Sequence, residues 1–423
     1  MLLLHGYLWF RLVRSTTVPG RLRRRLTALT VLLALLPAAA VLLGDSLPLD
    51  AAAAVEWIGF SWLGVAFYAF LALLALEPVR LAVRLLGPAA SGGARTPPDG
   101  DEGAPIAGGT APDAGPVRED REAHGGAVRE DHADSHVDTV ADPSRRRLLA
   151  RGLAVTAGVV ALGTAGTGAY LANTTPVVRR VPVTLPRLDP RLDGLRIVTF
   201  SDGHLSATYG GRRFERLVEV VNAQRPDVVA IVGDLVDAGV DELREDVAPL
   251  ADLVSEQGVY FVTGNHEYFV DTLPWMRHLP TLGVDVLRNE RVPIRRGGAS
   301  FDLAGIDDRI AADFGVPGHG ADLDAALDGR DDATPVVLLA HQPVMVEQAR
   351  RAGVDLQLSG HTHGGQLWPF DYAIRLDQPA VSGLSRVGDT QLYVTSGAGY
   401  WGPAMRIGAR PEVAVVELRA PRA

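Results

Sequence analysis

The chain has 423 residues, a formal net charge of −9 and no cysteine. Its length allows more than one domain, and its 47% hydrophobic content is high for a purely soluble protein. The acidic balance disfavours a nucleic-acid-binding protein, and the lack of cysteine excludes disulfides, thiolate metal sites and a cysteine nucleophile.

The first 86 residues are predicted to form a membrane region. Residues 1–25 mix aromatic and apolar residues with arginines, which indicates either an amphipathic interfacial helix or the remnant of a longer span. Two apolar runs, about 26–43 and 55–76, have the length of transmembrane helices. A buried core hairpin is the alternative, but two such long runs are unusual in soluble folds. Arginines flank the pair and acids lie in its loop, so both outer ends are predicted to be cytoplasmic.

Residues 87–143 are rich in Gly, Ala, Pro and acidic residues, a composition that predicts a disordered linker. Residues 144–177 then begin with three arginines, Arg145 to Arg147, followed by an apolar stretch of small residues. This pattern resembles a twin-arginine export signal inside the chain, and an ordinary third span is the alternative. Either one would place the residues that follow outside the cytoplasm. No convincing cleavage site is present, so a retained anchor is favoured.

Residues 178–423 are predicted to form one globular α/β domain. Short apolar runs typical of strands alternate with segments of helical periodicity in its first half, and hairpin-like segments follow. Buried strands are predicted at 195–200, 228–232, 259–262, 336–339, 354–358, 392–394 and 413–418. A Gly297-Gly298 turn is predicted to join two further strands.

Potential metal ligands follow five of these predicted strands. They are Asp202 and His204, Asp234, Asn265 with His266 and Glu267, His341, and His361 with His363. Ligands of α/β sheets gather beyond the carboxyl ends of the strands, so these groups are expected to meet in one crevice. The two histidines of His361-Thr362-His363 project to the same side of an extended backbone. Five strand ends that carry potential ligands in this order are very hard to attribute to chance.

The ordered set Asp-x-His, Gly-Asp, Gly-Asn-His-Glu, His and Gly-His-x-His resembles the signature of the calcineurin-like metallophosphoesterases. The resemblance covers about 195–368, and the tail 397–412 resembles a membrane-anchored, twin-arginine-exported bacterial branch. It implies a four-layer β-sandwich flanked by helices, with two bound metal ions. By position, the metal ligands would be Asp202, His204, Asp234 and His363 for one ion, and Asp234, Asn265, His341 and His361 for the other.

The chemistry of the residues agrees with this resemblance. Oxygen and imidazole ligands without thiolate suit Mn, Fe or Zn. Two such ions about 3.5–4 Å apart can hold a hydroxide and neutralise a phosphoryl group. His266, next to the ligand Asn265, is expected to be the general acid or the charge stabiliser for the leaving oxygen, and Glu267 is expected to orient a neighbour. Asp237, His278 and His319 are interpreted as surface residues.

The predicted function is hydrolysis of phosphate monoesters or diesters by a domain on the outer side of a bacterial cell membrane. A catalytically inert metal-binding sensor module is the alternative; it would predict gaps in the ligand set, and none is found. A transporter is disfavoured because the apolar runs lack buried charged residues. Aromatic residues in 366–370 and at Tyr400-Trp401 leave three possibilities open: contact with a lipid-linked or cell-envelope substrate, insertion into the membrane interface, or loop packing.

Overall fold

The computed structural model describes residues 1–43, 47–86 and 143–422. The predicted linker therefore lies outside the described residues, except that Pro143 begins a helix. The amino-terminal part is helical. Its elements are α1 (Leu2–Leu8), a π-helical turn (Trp9–Arg14), α2 (Arg21–Leu43), α3 (Leu49–Ala75), α4 (Glu77–Leu86) and α5 (Pro143–Ala172).

Among the residues that the structure describes, three helical segments are long and apolar enough to cross a membrane: Arg21–Leu43, Leu49–Val83 and Arg145–Ala172. Helix α3 packs against both α2 and α5. Small residues allow this close approach, as is usual between helices in membranes. At Gly59 of α3, an added Cβ would lie 2.8 Å from the carbonyl oxygen of Leu36 in α2. The transmembrane helices predicted from the apolar runs are thus present as one packed group.

The described residues from 177 onward form two six-stranded sheets. The strands are β1 (Val177–Thr184), β2 (Arg196–Phe200), β3 (Val228–Val232), β4 (Val259–Val262), β5 (Val284–Val286), β6 (Glu290–Arg296), β7 (Ala299–Gly305), β8 (Val336–Leu339), β9 (Leu356–Ser359), β10 (Gly383–Val387), β11 (Thr390–Val394) and β12 (Glu412–Arg419). The first sheet has the order β1-β12-β2-β3-β4-β5, and the second has the order β10-β11-β9-β8-β7-β6.

Short helices lie between the strands. They are α6 (Arg212–Asn222), α7 (Val240–Val247), α8 (His266–Phe269), α9 (Thr272–His278), α10 (Leu323–Leu327), α11 (Val346–Arg351) and α12 (Asp371–Ile374). Helix α7 ends at Val247, and a 3₁₀ turn containing Pro249 continues to Asp252. Proline lacks the N–H that a continuing α-helix would need.

The core consists of layers on both faces of each sheet. All five residues of β3 are buried, and their side chains alternate between two hydrophobic layers of the core. Val228, Ala230 and Val232 face the second sheet, whereas Val229 and Ile231 face helices α6 and α7. A third hydrophobic layer joins α10 and α11 to the outer face of the second sheet. The predicted four-layer β-sandwich flanked by helices is therefore confirmed.

The direction of the strands brings the predicted ligands together. Strands β2, β3 and β4 are parallel neighbours in the first sheet, and β8 and β9 are parallel neighbours in the second. Their carboxyl ends therefore meet at one end of the sandwich, where parallel strands usually present ligands. Every loop that carries a predicted ligand begins there.

Candidate metal centre

The residues at this end of the sandwich adopt strained backbone conformations. Eight non-glycine residues in the described part of the chain have positive φ, and five of them are predicted ligands: Asp202, His204, Asp234, His361 and His363. A left-handed conformation costs an ordinary residue on the order of 1–3 kcal/mol, and such residues concentrate at functional sites. The strain therefore points to the same residues as the motifs.

The first cluster consists of Asp202, His204 and His363, all buried. Nε2 of His204 lies 3.0 Å from Nε2 of His363, and that atom lies 3.4 Å from Oδ1 of Asp202. Burial is the largest influence on the pKa of the Asp202 carboxyl and raises it. Two imidazole nitrogens and a carboxylate oxygen that converge in this way match the donors that a divalent transition-metal ion prefers.

The second cluster consists of Asp234, His341 and His361. Nδ1 of His341 is 2.8 Å from the carbonyl oxygen of Val232 and donates to it, so Nε2 is the ring nitrogen that faces the site. Nε2 lies 3.0 Å from Oδ2 of Asp234 without hydrogen-bond geometry, and it is buried without a hydrogen-bond partner. A carbonyl-oriented imidazole with a free buried nitrogen is the usual arrangement of a metal ligand, so this cluster fits a metal ion.

Asn265 and Asp234 connect these groups. Oδ1 of Asn265 lies 2.9 Å from Nδ1 of His361. Oδ2 of Asp234 faces both clusters, since it is also 4.0 Å from Nε2 of His204. Burial would raise the pKa of Asp234, but the imidazoles of His341 and His266 outweigh it and hold that pKa well below its usual value. The structure thus brings all seven predicted ligands together.

His266 lies at the edge of the first cluster, and Asp237 holds it there. Nδ1 of His266 and Nδ1 of His204 each lie 2.8 Å from Oδ1 of Asp237. Burial would lower the pKa of His266, but Asp234 and Asp237 outweigh it and raise the pKa to about 9. The interpretation of Asp237 as a surface residue is wrong: its side chain is 19% exposed and carries both hydrogen bonds. The backbone pairing of Leu205 with Val236 brings it back beside His204, a contact that local sequence does not reveal.

Glu267 is fully buried and joins two loops. Its carboxylate accepts hydrogen bonds from the backbone N–H groups of Gly264 at 2.6 Å, Leu235 at 2.7 Å and Asp234 at 3.0 Å. Burial raises its pKa to about 7. These contacts agree with the expected orienting role, because they fix the peptide that carries Asp234.

The surface assignment of His319 is wrong. Its side chain is 1% exposed, and its Nδ1 lies 2.9 Å from the hydroxyl of Tyr268. It packs there against the ring of Tyr268, away from both clusters. His278 is partly exposed at the end of α9 and also lies outside the clusters.

Arg406 is a residue of the site that the motifs did not reveal. Its side chain is fully buried, and Nη2 lies 3.3 Å from Nδ1 of His363. Burial lowers its pKa to about 10. The one signal in the sequence was an arginine placed between Met405 and Ile407, two apolar residues.

Two exposed aromatic side chains form a rim beside His266, at the edge of the first cluster. The rings of Phe269 and Trp401 lie 5.1 Å and 5.7 Å from that of His266, and these side chains are 56% and 59% exposed. Trp368 and Phe370 are exposed as well. Tyr400 is instead buried, and its hydroxyl donates to the carbonyl oxygen of Thr208. Of the Tyr400-Trp401 pair, only Trp401 belongs to this rim.

Comparisons with known proteins agree with this architecture. Residues 195–365 match the family model of the calcineurin-like phosphoesterases. A protein described as an uncharacterized metallophosphoesterase of Helicobacter pylori is 37% identical over 281 residues, which cover 65% of this chain and 73% of that protein. A transmembrane protein with metallophosphoesterase domain of Danio rerio is 42% identical over 251 residues, 58% of this chain and 57% of that protein.

A solved dimetal phosphatase from Danio rerio has a TM-score of 0.37 and 14% identity, with coverage of 54% of this chain and 93% of that one.

The matches to the family model and to the Helicobacter pylori protein show that the chain belongs to the calcineurin-like phosphoesterase family. It spans a little over half the length of the animal transmembrane relative that it matches. Because the relatives include this animal protein, the match does not single out a bacterial, twin-arginine-exported branch.

Proposed function

We propose that the protein is a membrane-anchored phosphoesterase that depends on two metal ions. The observation that carries the proposal is the convergence of two buried acid–imidazole clusters on Asp234. In the proposed ligand set, Asp202, His204, Asp234 and His363 hold one ion, and Asp234, Asn265, His341 and His361 hold the other. When bound, Mn, Fe or Zn ions would activate water and neutralise charge on the phosphoryl group.

His266 is proposed to protonate the leaving oxygen. Its Nδ1 donates to Asp237, so Nε2 remains to donate a proton to the leaving oxygen. Asp237 acts as the orienting group, because the same carboxylate oxygen also holds His204. Asp234 contributes in a second way: its Oδ1 accepts from the backbone N–H of His266 at 2.8 Å, which fixes that residue beside the clusters.

The exposed rim of Phe269 and Trp401 beside His266 supports a substrate with an apolar part next to its phosphate. Aromatic side chains of this kind commonly lie at the membrane–water interface. We therefore favour a lipid-linked or other cell-envelope phosphate ester, either a monoester or a diester, as the substrate. The rim would contact its apolar part, and the two clusters would receive its phosphate.

The distribution of arginines supports an extracytoplasmic catalytic domain. Arg21 to Arg25 precede the first apolar run, and Arg145 to Arg147 lie in the first turns of α5, which ends five residues before β1. Under the positive-inside rule, α5 then leads out of the cytoplasm. We infer a bacterial cell membrane as the location and a twin-arginine route as the means of export, with α5 retained as an anchor.

The proposal is tested with the full-length chain in detergent. Wild-type protein loaded with Mn²⁺, Zn²⁺ or Fe²⁺ is expected to hydrolyse a member of a panel of phosphomonoesters, phosphodiesters and phospholipids. Asp234→Asn is expected to lose metal and turnover together. Metal-loaded wild-type protein without turnover on any panel member would instead favour the inert metal-binding module.

A further inference from the structure

Residues 405–407 connect the membrane helices to the first cluster. Met405 and Ile407 face the helices, whereas the intervening Arg406 side chain is buried on the opposite side of this segment. A Cβ added at Gly64 of α3 would lie 2.5 Å from Sδ of Met405, and one added at Gly168 of α5 would lie 3.0 Å from Cδ1 of Ile407. The backbone N–H of Arg406 donates to the carbonyl oxygen of Gly168 at 2.9 Å.

The guanidinium of Arg406 holds the loops around the first cluster. Nη1 donates to the carbonyl oxygens of His363 and Ser396, each at 2.7 Å. Nε donates to the carbonyl oxygen of Gly399 at 3.0 Å, and Nη2 donates to the same oxygen. In the described part of the chain, no carboxylate lies within salt-bridge distance of Arg406. A buried cation without a carboxylate partner is unfavourable unless its donors are satisfied, and here carbonyl oxygens of loop residues satisfy them.

These loops also hold Asp202. The backbone N–H of Gly399 donates to the carbonyl oxygen of Asp202 at 2.8 Å. The backbone N–H of Ala398 donates to the carbonyl oxygen of Ser201 at 2.9 Å. A single side chain therefore supports the backbone beside two of the three residues in the first cluster. Its own backbone is in turn fixed by α5.

We propose that Arg406 is a positioning residue for His363 and Asp202, and that helix α5, through Gly168, sets the position of Arg406. The apolar helices then form part of the catalytic architecture as well as an anchor. This inference rests on the proposed metal centre. It assigns no contact between Arg406 and the substrate.

The contact with the helix is tested by Gly168→Leu in the full-length chain. The added side chain would push against Met405 and Ile407, while the helical backbone at this position needs no glycine. Gly166→Leu is the matched control, because a Cβ at Gly166 meets no atom within 4 Å. After dialysis against limiting Mn²⁺, Gly168→Leu is expected to retain less than half of the wild-type metal content, and Gly166→Leu all of it.

The side chain is tested by Arg406→Lys and Arg406→Gln. Arg291→Gln is the control, since Arg291 also donates to backbone carbonyls, those of Ala326 in α10 and of Asp328, and pairs with Asp302 away from the clusters. Both Arg406 variants are expected to lose bound Mn²⁺ and kcat with KM unchanged, and lysine is expected to retain more of both than glutamine. A loss of stability alone would lower neither metal content nor kcat in the folded fraction. Arg291→Gln is expected to show this result, with wild-type metal content and kcat in its folded fraction.

Wild-type metal content and kcat in Gly168→Leu and Arg406→Lys would overturn the inference. If Arg406→Gln does not fold, these two variants still decide it. Wild-type protein that binds none of Mn²⁺, Zn²⁺ and Fe²⁺ would instead overturn the proposed function, so the two failures are distinguishable.

Discussion

His266 is the residue on which proton transfer depends in the proposed reaction. His266→Gln removes the proton donor but leaves the seven proposed ligands in place. We expect kcat to fall by ~10²–10⁴-fold, the usual contribution of a positioned acid, while metal content stays at the wild-type level. The measurement is hydrolysis of a chromogenic phosphodiester beside elemental analysis. His278→Gln, outside the clusters, is the control, and unchanged kcat in His266→Gln would remove this residue from the mechanism.

Gly360 leaves no room for a side chain beside Asp202. An added Cβ would lie 2.5 Å from Oδ2 of Asp202, and the φ of Gly360 is not positive, so Gly360→Ala tests crowding alone. We expect Gly360→Ala to lower the free energy of unfolding by about 1–3 kcal/mol and to displace bound metal. Chemical denaturation in detergent measures the first effect. Gly163→Ala, where a Cβ meets no atom within 4 Å, should be neutral or slightly stabilising.

At the scale of elements, the aromatic rim beside His266 consists of two exposed side chains, Phe269 at the end of α8 and Trp401 in a loop. Trp401→Ala is expected to lower kcat/KM for a phospholipid by about tenfold, equivalent to roughly 1.4 kcal/mol of lost apolar contact. A small soluble phosphate ester should be affected far less, because it has no apolar part to lose. Leu384→Ala, an exposed apolar residue on β10, is the control. Equal losses on both substrates would argue against a lipid-linked substrate.

The elements that sequence predicted best are those buried on both faces. Strands β3, β4 and β8 begin and end where their apolar runs do. Of the four edge strands, β6 was predicted from its turn, and the others were missed for a physical reason: β1 carries two arginines and a proline, and most of β10 is exposed, so neither has an apolar run. β5, a three-residue strand at the other edge of the first sheet, was also missed.

The residues of the candidate site also fall into those that the sequence predicts and those that it does not. Residues that directly follow a buried strand, such as Asp234 and His341, could be predicted from their position in the chain. Asp237 and Arg406 could not, since each acquires its role through contacts with residues distant in sequence. For Asp237 the partner is His204, 33 residues away, and for Arg406 it is His363, 43 residues away.

At the scale of the whole molecule, the absence of cysteine makes membrane topology measurable by single substitutions. Ser385→Cys places a thiol on the exposed face of β10, and Leu85→Cys places one on exposed α4. In intact cells, a membrane-impermeant maleimide is expected to label Ser385→Cys and not Leu85→Cys, with both labelled after lysis. The reverse pattern would place the catalytic domain in the cytoplasm.

The order of strands in the first sheet has a consequence for biosynthesis. Strand β1 follows α5 by only a few residues, yet it pairs with β12, which also separates it from β2. The sheet can therefore close only after residues 412–419 have left the ribosome, when α1 to α5 are already made. A chain threaded unfolded through a translocon would complete this sheet on the far side. A chain exported after folding would complete it in the cytoplasm, where metal could be loaded before export.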